Sequence, residues 1–173
     1  MQDLTVHPVQ PADQDWVREI TIQNWGSEQV VLHHALYLPH QLPGWIARRD
    51  GDAVGLLTYH IEAAACEIVT LDSFQPRQGV GTTLLHAVRR SACQAGCRRL
   101  WLITTNDNLT ALGFYQKYGF QLCGLYCGAV QQARKIKPEI PLLGENGIPI
   151  RDCLLYTSPS PRDRTRSRMP SSA

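Results

Sequence analysis

Two short segments of this 173-residue chain carry residues whose types and spacing could do chemistry. The first reads Gln75-Pro76-Arg77-Gln78-Gly79-Val80-Gly81-Thr82 and leads from a strand-like run directly into a helix-like one. A helix start leaves four backbone N–H groups without partners and lies at the positive end of the macrodipole. Glycines at 79 and 81 would let a phosphate approach those donors without Cβ interference. Thr82 adds a hydroxyl and Arg77 a positive charge, so the segment from Glu67 to Gly96 predicts an anion cradle. The dipole alone contributes about 0.3–1 kcal/mol, so charge-assisted bonds to several amides must supply most of the affinity. Taken alone, the pattern also fits a glycine-eased turn or a nucleotide site. No Gly-Lys-Ser/Thr follows, which excludes a P-loop. A dinucleotide fingerprint wants Gly or Ala where Leu84 stands, and an acidic residue ending the next strand, where Asn106 and Asp107 match poorly.

The second segment narrows the choice. Asn108-Leu109-Thr110-Ala111-Leu112-Gly113-Phe114-Tyr115-Gln116-Lys117-Tyr118-Gly119-Phe120 follows the apolar run RLWLITT. Together the two blocks resemble the GNAT superfamily of N-acetyltransferases, whose acyl-CoA loop reads Q/R-x-x-G-x-G/A and whose later helix reads N-x-x-A-x-x-x-Y-x-x-x-G-F. The helix pattern is met in full by Asn108, Ala111, Tyr115, Gly119 and Phe120. The loop pattern is met at Gly79 and Gly81 and departs at Pro76, which brings no N–H to a phosphate.

The resemblance implies transfer of an acetyl group from acetyl-CoA to a primary amine of a small molecule or peptide, by direct attack in a ternary complex and without a metal. It implies that Leu71, Asp72 and Ser73 offer backbone groups to the acetyl and pantetheine portions. Arg77, Gln78, Gly79, Val80, Gly81 and Thr82 would hold the pyrophosphate, and Asn108 would contact the CoA arm. Tyr115 would protonate the leaving thiolate, which suits a phenol of pKa about 10. A base is also needed, because an amine of pKa about 10.4 lies some three units above neutral pH, a cost of roughly 4–5 kcal/mol. Glu67 is the first candidate, with His60 and Asp72 behind it. Trp25, Trp45 and Tyr59 are candidates for an acceptor pocket or for the core. Residues 26–44 carry no charge pattern that names the acceptor, and homodimerisation is left open. Two other classes are weighed against the enzyme: a non-catalytic acyl-CoA-binding module and a dinucleotide-binding oxidoreductase domain.

The elements that must position these residues are legible in outline. Leu4–Val9 reads as a strand, and Pro11-Ala12-Asp13 opens a helix stopped by Gly26. Gln29–Leu38 is ambiguous. Trp45–Arg49 and Ala53–Ile61 flank Asp50-Gly51-Asp52, a hairpin signal. Ala63-Ala64-Ala65 makes a second reversal before a strand from Cys66 to Phe74. Gly79–Ala95 carries Val80, Leu84, Leu85, Val88 and Ala92 at helical spacing. Arg99–Thr105 reads as a strand buried on both faces. Asn108 caps a helix that Gly119 stops. A strand over Phe120–Tyr126, a short helix over Ala129–Lys137 and a last strand over Ile148–Arg151 follow. The expectation is an α/β fold: a mixed, mostly antiparallel central sheet flanked by helices, with a β-α-β acyl-CoA-binding core.

Composition bounds the rest. The chain is 43% hydrophobic and 18% charged, with no apolar run approaching a membrane span and no export signal, so the expected location is cytoplasmic. The net charge of +2 comes from Arg162, Arg164, Arg166 and Arg168 against Asp163; without residues 153–173 it is −1, which speaks against nucleic acid. Six cysteines lack zinc-finger spacing and are expected to be reduced. At Cys153 the chain turns Ser/Pro/Arg-rich, and CLLYTSPSPRD resembles a translated sequencing-library adapter read through in frame. Residues 1–152 are therefore expected to form one C-terminally truncated acetyltransferase domain. Residues 153–173 are expected to be a non-native or disordered tail, with CLLYT extending the last strand by accident and disorder from about Ser158.

Overall fold

The computed structural model describes residues 3–33, 35–144 and 146–158. Leu4–Pro8 (β1) runs antiparallel to Gly44–Arg49 (β4), which turns through Asp50-Gly51 into Asp52–Glu62 (β5). Asp50 and Gly51 have φ of 52° and 91°, the left-handed pair a two-residue hairpin requires. The next reversal uses Ala63 and Ala64, also at positive φ, and delivers Ala65–Ser73 (β6). Val80–Gln94 (α2) then crosses over to Arg99–Thr105 (β7), which lies parallel to β6. Leu109–Tyr118 (α3) and Gln121–Tyr126 (β8) follow.

Gln14–Trp25 (α1) ends at Gly26, whose φ of 78° supplies the left-handed stop. The ambiguous stretch that follows is a small hairpin, Val30–Leu32 (β2) with Ala35–Tyr37 (β3), separate from the main sheet. Ala129–Ile136 forms α4.

The C-terminal expectations need two corrections. Ile148–Arg151 is not a strand: Pro149 makes only an isolated bridge to Leu143, and Asn106 holds the segment by accepting from the Arg151 and Asp152 amides at 2.9 and 3.0 Å. The strand is Cys153–Ser158 (β9), placed between β7 and β8 in the seven-stranded order β1-β4-β5-β6-β7-β9-β8. A domain boundary at 152/153 would thus cut through the sheet. The part of the expected tail beyond Ser158 lies outside the described residues. β7 is also less enclosed than its composition suggests: Leu100 and Leu102 are buried, while Trp101 and Ile103 on the other face are only half-buried.

The sheet packs on both faces. Val80, Leu84, Leu85 and Val88 of α2 bury against β4–β7, joined by Tyr115, Tyr118 and Phe120 and by Tyr156 from β9. On the opposite face Val17 of α1 meets Ile46 and Leu56. Gly55 permits the close approach of α2, because a Cβ there would stand 2.5 Å from Val80 Cγ1.

One irregularity shapes everything that follows. β5 pairs Thr58 with Thr70 but Tyr59 with Ile68, so Val69 is an extra residue bulged out of β6. A bulge bends its strand and increases the local twist. Pairing between β6 and β7 accordingly stops at Ile68–Leu102, and the two strands splay apart toward Ser73 and Thr105. The sheet is split at its centre.

Candidate active site

Three contiguous cavities run through and beside the split. The first, about 760 Å³, lies between the N-termini of α2 and α3 and is lined by Pro76, Arg77, Gly79, Val80, Gly81, Thr82, Tyr115 and Lys117, among others. The second, about 600 Å³, shares Leu71, Ser73, Asn108, Ala111 and Tyr115 with the first and adds Asp72, Asn24 and Trp25. The third, about 400 Å³, opens on the α1 side and shares Asn24, Trp25, Ile103, Thr104 and Asn108 with the second. Shared walls thus link the α2–α3 face, by way of the split in the sheet, to the α1 face.

The α2 end of this passage is built to hold an anion. Gly79 is its N-cap, left-handed at φ 81°, with no side-chain cap. The Thr83 amide donates to Gly79 O at 3.0 Å, so the first turn ahead of it, Val80, Gly81 and Thr82, brings its N–H groups to a helix end open to the cavity. Arg77 and Lys117 stand on the cavity wall, and both are exposed. This donor set fits a pyrophosphate. The two glycines act differently from one another. A Cβ at Gly79 would meet nothing within 4 Å, whereas one at Gly81 would stand 3.0 Å from the Phe114 ring. Gly81 thus serves the close packing of α2 on α3 as well as any ligand.

Gln78 does not line the cavity with its neighbours. Its side chain and carbonyl accept from the Arg49 guanidinium, which also bonds Gln75 Oε1. Arg49, from β4, clamps the loop that presents Arg77 at an unusual φ of 61°. Sequence reading had no local signal for it. Asn108 lines all three cavities while its Oδ1 accepts from the Ala111 amide at 3.1 Å, so its role as helix cap is met and its side-chain amide donors remain for a ligand.

Tyr115 sits where the first two cavities meet, buried against Phe114, Phe120 and Tyr156 with ring centroids 5.3, 5.7 and 6.2 Å away. Burial, and then the charge of Asp72, hold its phenol well above the usual range, so it stays protonated at any working pH. Asp72 faces α1: Trp25 Nε1 donates to its Oδ2 at 3.3 Å and Asn24 adds a second bond. Burial raises its carboxyl despite those two bonds.

Glu67 is not brought to this centre. It is 5% exposed on the α1 face of β6, and Tyr37 of β3 donates to its Oε2 at 2.6 Å. Glu67 lines none of the three cavities. It lies five positions from Asp72 along one strand, at most roughly 16 Å at ~3.3 Å per residue. His60, its cross-strand neighbour, stacks on Tyr37 at 5.7 Å, and stands 3.9 Å from Glu62. Trp25 lines the passage, whereas Trp45, bonded to Ser91, and Tyr59 pack against the core.

Burial is the main cause that lifts the Glu67 carboxyl above its ordinary 4.5, with the Tyr37 bond and His60 opposing. A raised folded pKa means that the folded state binds the proton more tightly than the unfolded chain. That contribution is fully present below 4.5 and is lost as pH rises through the folded value. Glu67→Gln keeps an oxygen for Tyr37 and removes the charge. Thermal melts of both proteins from about pH 4 to about pH 8 are expected to show the variant gaining stability relative to wild type as pH rises. Parallel curves would rule out a buried, strained Glu67 carboxylate.

The family model for Acetyltransferase (GNAT) family proteins matches residues 12–120, which include the cradle, α3 and the splayed strands. The chain belongs to the GNAT acetyltransferase family. It is 43% identical over 153 residues to the uncharacterized protein YxbD of Bacillus subtilis, covering 88% of this chain and 96% of that protein. Its fold is similar to that of a GNAT family acetyltransferase from Elizabethkingia anophelis crystallised with acetyl-CoA bound (TM-score 0.63, 22% identity, 90% and 97% of the two chains). It is also similar to a Bacillus subtilis acetyltransferase in complex with CoA (TM-score 0.63, 15% identity, 92% and 99%). The mixed sheet with flanking helices expected from the sequence is thus the GNAT fold. The six cysteines, all among the described residues, are joined by no disulfide. No helix among the described residues is long and apolar enough to cross a membrane.

Proposed function

We propose that this GNAT protein transfers an acetyl group from acetyl-CoA to a primary amine by direct attack in a ternary complex. The passage through the split sheet carries this reading: one end is an uncapped helix N-terminus beside Arg77 and Lys117, the middle holds a protonated Tyr115, and the far end opens on the other face. The first-turn amides of α2 bind the pyrophosphate, with Arg77 and Lys117 adding charge. Leu71, Asp72 and Ser73 line the thioester arm, where β6 has lost β7 as a partner and its backbone groups are available. Asn108 donates to the same arm. Tyr115 gives its phenolic proton to the departing sulfur.

The test is ligand-dependent melting of the whole protein with acetyl-CoA, desulfo-CoA and NADH. Acetyl-CoA and desulfo-CoA are expected to raise the melting temperature, by the equivalent of about 2.7 kcal/mol at a hundredfold excess over Kd, and NADH is not. Stabilisation by NADH alone would overturn the assignment.

A further inference from the structure

The third cavity is unlike the other two, and nothing in the anion cradle explains it. Its wall is mainly apolar, with Val31 and Leu32 of β2, Ile103 of β7, Val130 of α4, and Ile140 and Ile150 beyond, interrupted by His33, Thr104, Thr105 and Asn108. Two charged side chains line it. Lys137 is 8% exposed, and its Nζ donates to the Trp25 and Gln29 carbonyls at 2.7 and 2.9 Å, which ties the end of α4 to the end of α1. Glu139 is exposed. The buried charge in this chamber is therefore positive. At about 400 Å³ it lies at the small end of the usual ~300–1,000 Å³ range for small-molecule sites.

The inner mouth of the chamber has the opposite sign. Asn24 and Trp25 line both the chamber and the central cavity, and both bond the Asp72 carboxylate. Asp72 also stands close enough to Tyr115 to affect it electrically. An amine whose body fills the chamber would place its nitrogen beside this carboxylate.

We propose that the acceptor is a small amine with an apolar body, seated in this chamber, and that Asp72 binds its ammonium and takes the proton that must leave before attack. This rests on the acetyltransferase reading above and specifies its acceptor. The ammonium gives one proton to Asp72, which passes it to solvent. The freed nitrogen lone pair forms the N–C bond to the thioester carbonyl carbon while the C–S bond breaks and its electrons go to sulfur. Tyr115 protonates the sulfur, and the second proton lost by nitrogen restores the phenol. One free thiol and one proton result per amide formed. Polyamines and aminoglycosides are disfavoured, because their further ammonium groups would be desolvated against the mainly apolar wall and the buried Lys137 cation.

Free-thiol release is measured with phenethylamine and hexylamine against spermidine, kanamycin and a short peptide with a free N-terminus, with acetyl-CoA binding followed by melting shift in parallel. The apolar monoamines are expected to give kcat/KM about 10-fold or more above the other acceptors. Asp72→Asn is expected to lose about 10²-fold or more with the best amine while keeping the acetyl-CoA melting shift. Ala133→Phe, which fills the chamber from α4, is expected to raise the amine KM about 10-fold and leave the acetyl-CoA KM unchanged. Preference for a polycation or the peptide, no turnover of either monoamine, or Asp72→Asn activity within about threefold of wild type overturns the inference. Absence of any acetyl-CoA melting shift in the wild-type protein overturns the underlying reading instead.

Discussion

Tyr115→Phe is expected to lower kcat by about 10²–10⁴ while leaving the Kd for acetyl-CoA within about twofold of wild type. The substitution removes one oxygen from a residue whose ring is locked among Phe114, Phe120 and Tyr156, so packing and the cavity walls survive. What is lost is the proton for the departing sulfur. Burial and the nearby Asp72 charge raise this phenol, which keeps the proton on oxygen in the resting protein. The same desolvation raises the proton affinity of a thiolate formed beside it, which offsets part of the rise in the phenol, and the proton lost by the attacking nitrogen restores the phenol. At ~1.36 kcal/mol per decade the expected loss corresponds to roughly 3–5 kcal/mol of transition-state stabilisation. The decisive measurement pairs single-turnover rates with acetyl-CoA binding by calorimetry. A rate within about threefold of wild type would make Tyr115 a core aromatic only.

What was legible before the fold was known follows a simple physical division. Gly79, Asn108 and Gly119 announce themselves because a helix start or stop is decided by residues within one turn of it. The hairpin at Asp50-Gly51 is local in the same way. The site as a passage is not local. It depends on the Val69 bulge, which no single residue type marks, and on the loss of β6–β7 pairing that accompanies it. The bonds that sort the carboxylates span long stretches of chain: Tyr37 to Glu67, Trp25 to Asp72, and Lys137 back to Trp25 and Gln29. Glu67 looked like the base because it lies on the strand leading to the loop. A bulged, twisted strand gives its ends different surroundings, and the end carrying Asp72 meets the passage. Gly81 shows a subtler limit, since the residue type was right while half of its reason, the Phe114 ring, came from another helix.

CLLYT is strand as expected, but it forms one in its own right and not as an extension of Ile148–Arg151, and this leads to the second large effect. The run Cys153-Leu154-Leu155-Tyr156 has a composition that suits a strand closed on both edges. β9 pairs with β7 over Leu100–Thr105 and with β8 over Gln121–Tyr126, so it is what joins β8 to the sheet. Tyr156 is 0% exposed, stacks near Tyr115 at 6.2 Å, and accepts from Gln116 Nε2 at 3.2 Å. Tyr156→Ala is therefore expected to destabilise the protein by about 3–5 kcal/mol, the usual range for deleting a buried aromatic ring. Because the ring packs against Tyr115, the same variant should lose turnover even where it remains folded. Tyr156→Phe, which keeps the ring and drops the Gln116 bond, should cost only about 0.5–1.5 kcal/mol. Denaturant titration of the two variants separates packing from hydrogen bonding. Were Tyr156→Ala to unfold at the wild-type midpoint, β9 would contribute nothing to the core, and the sheet would have to close directly from β7 to β8.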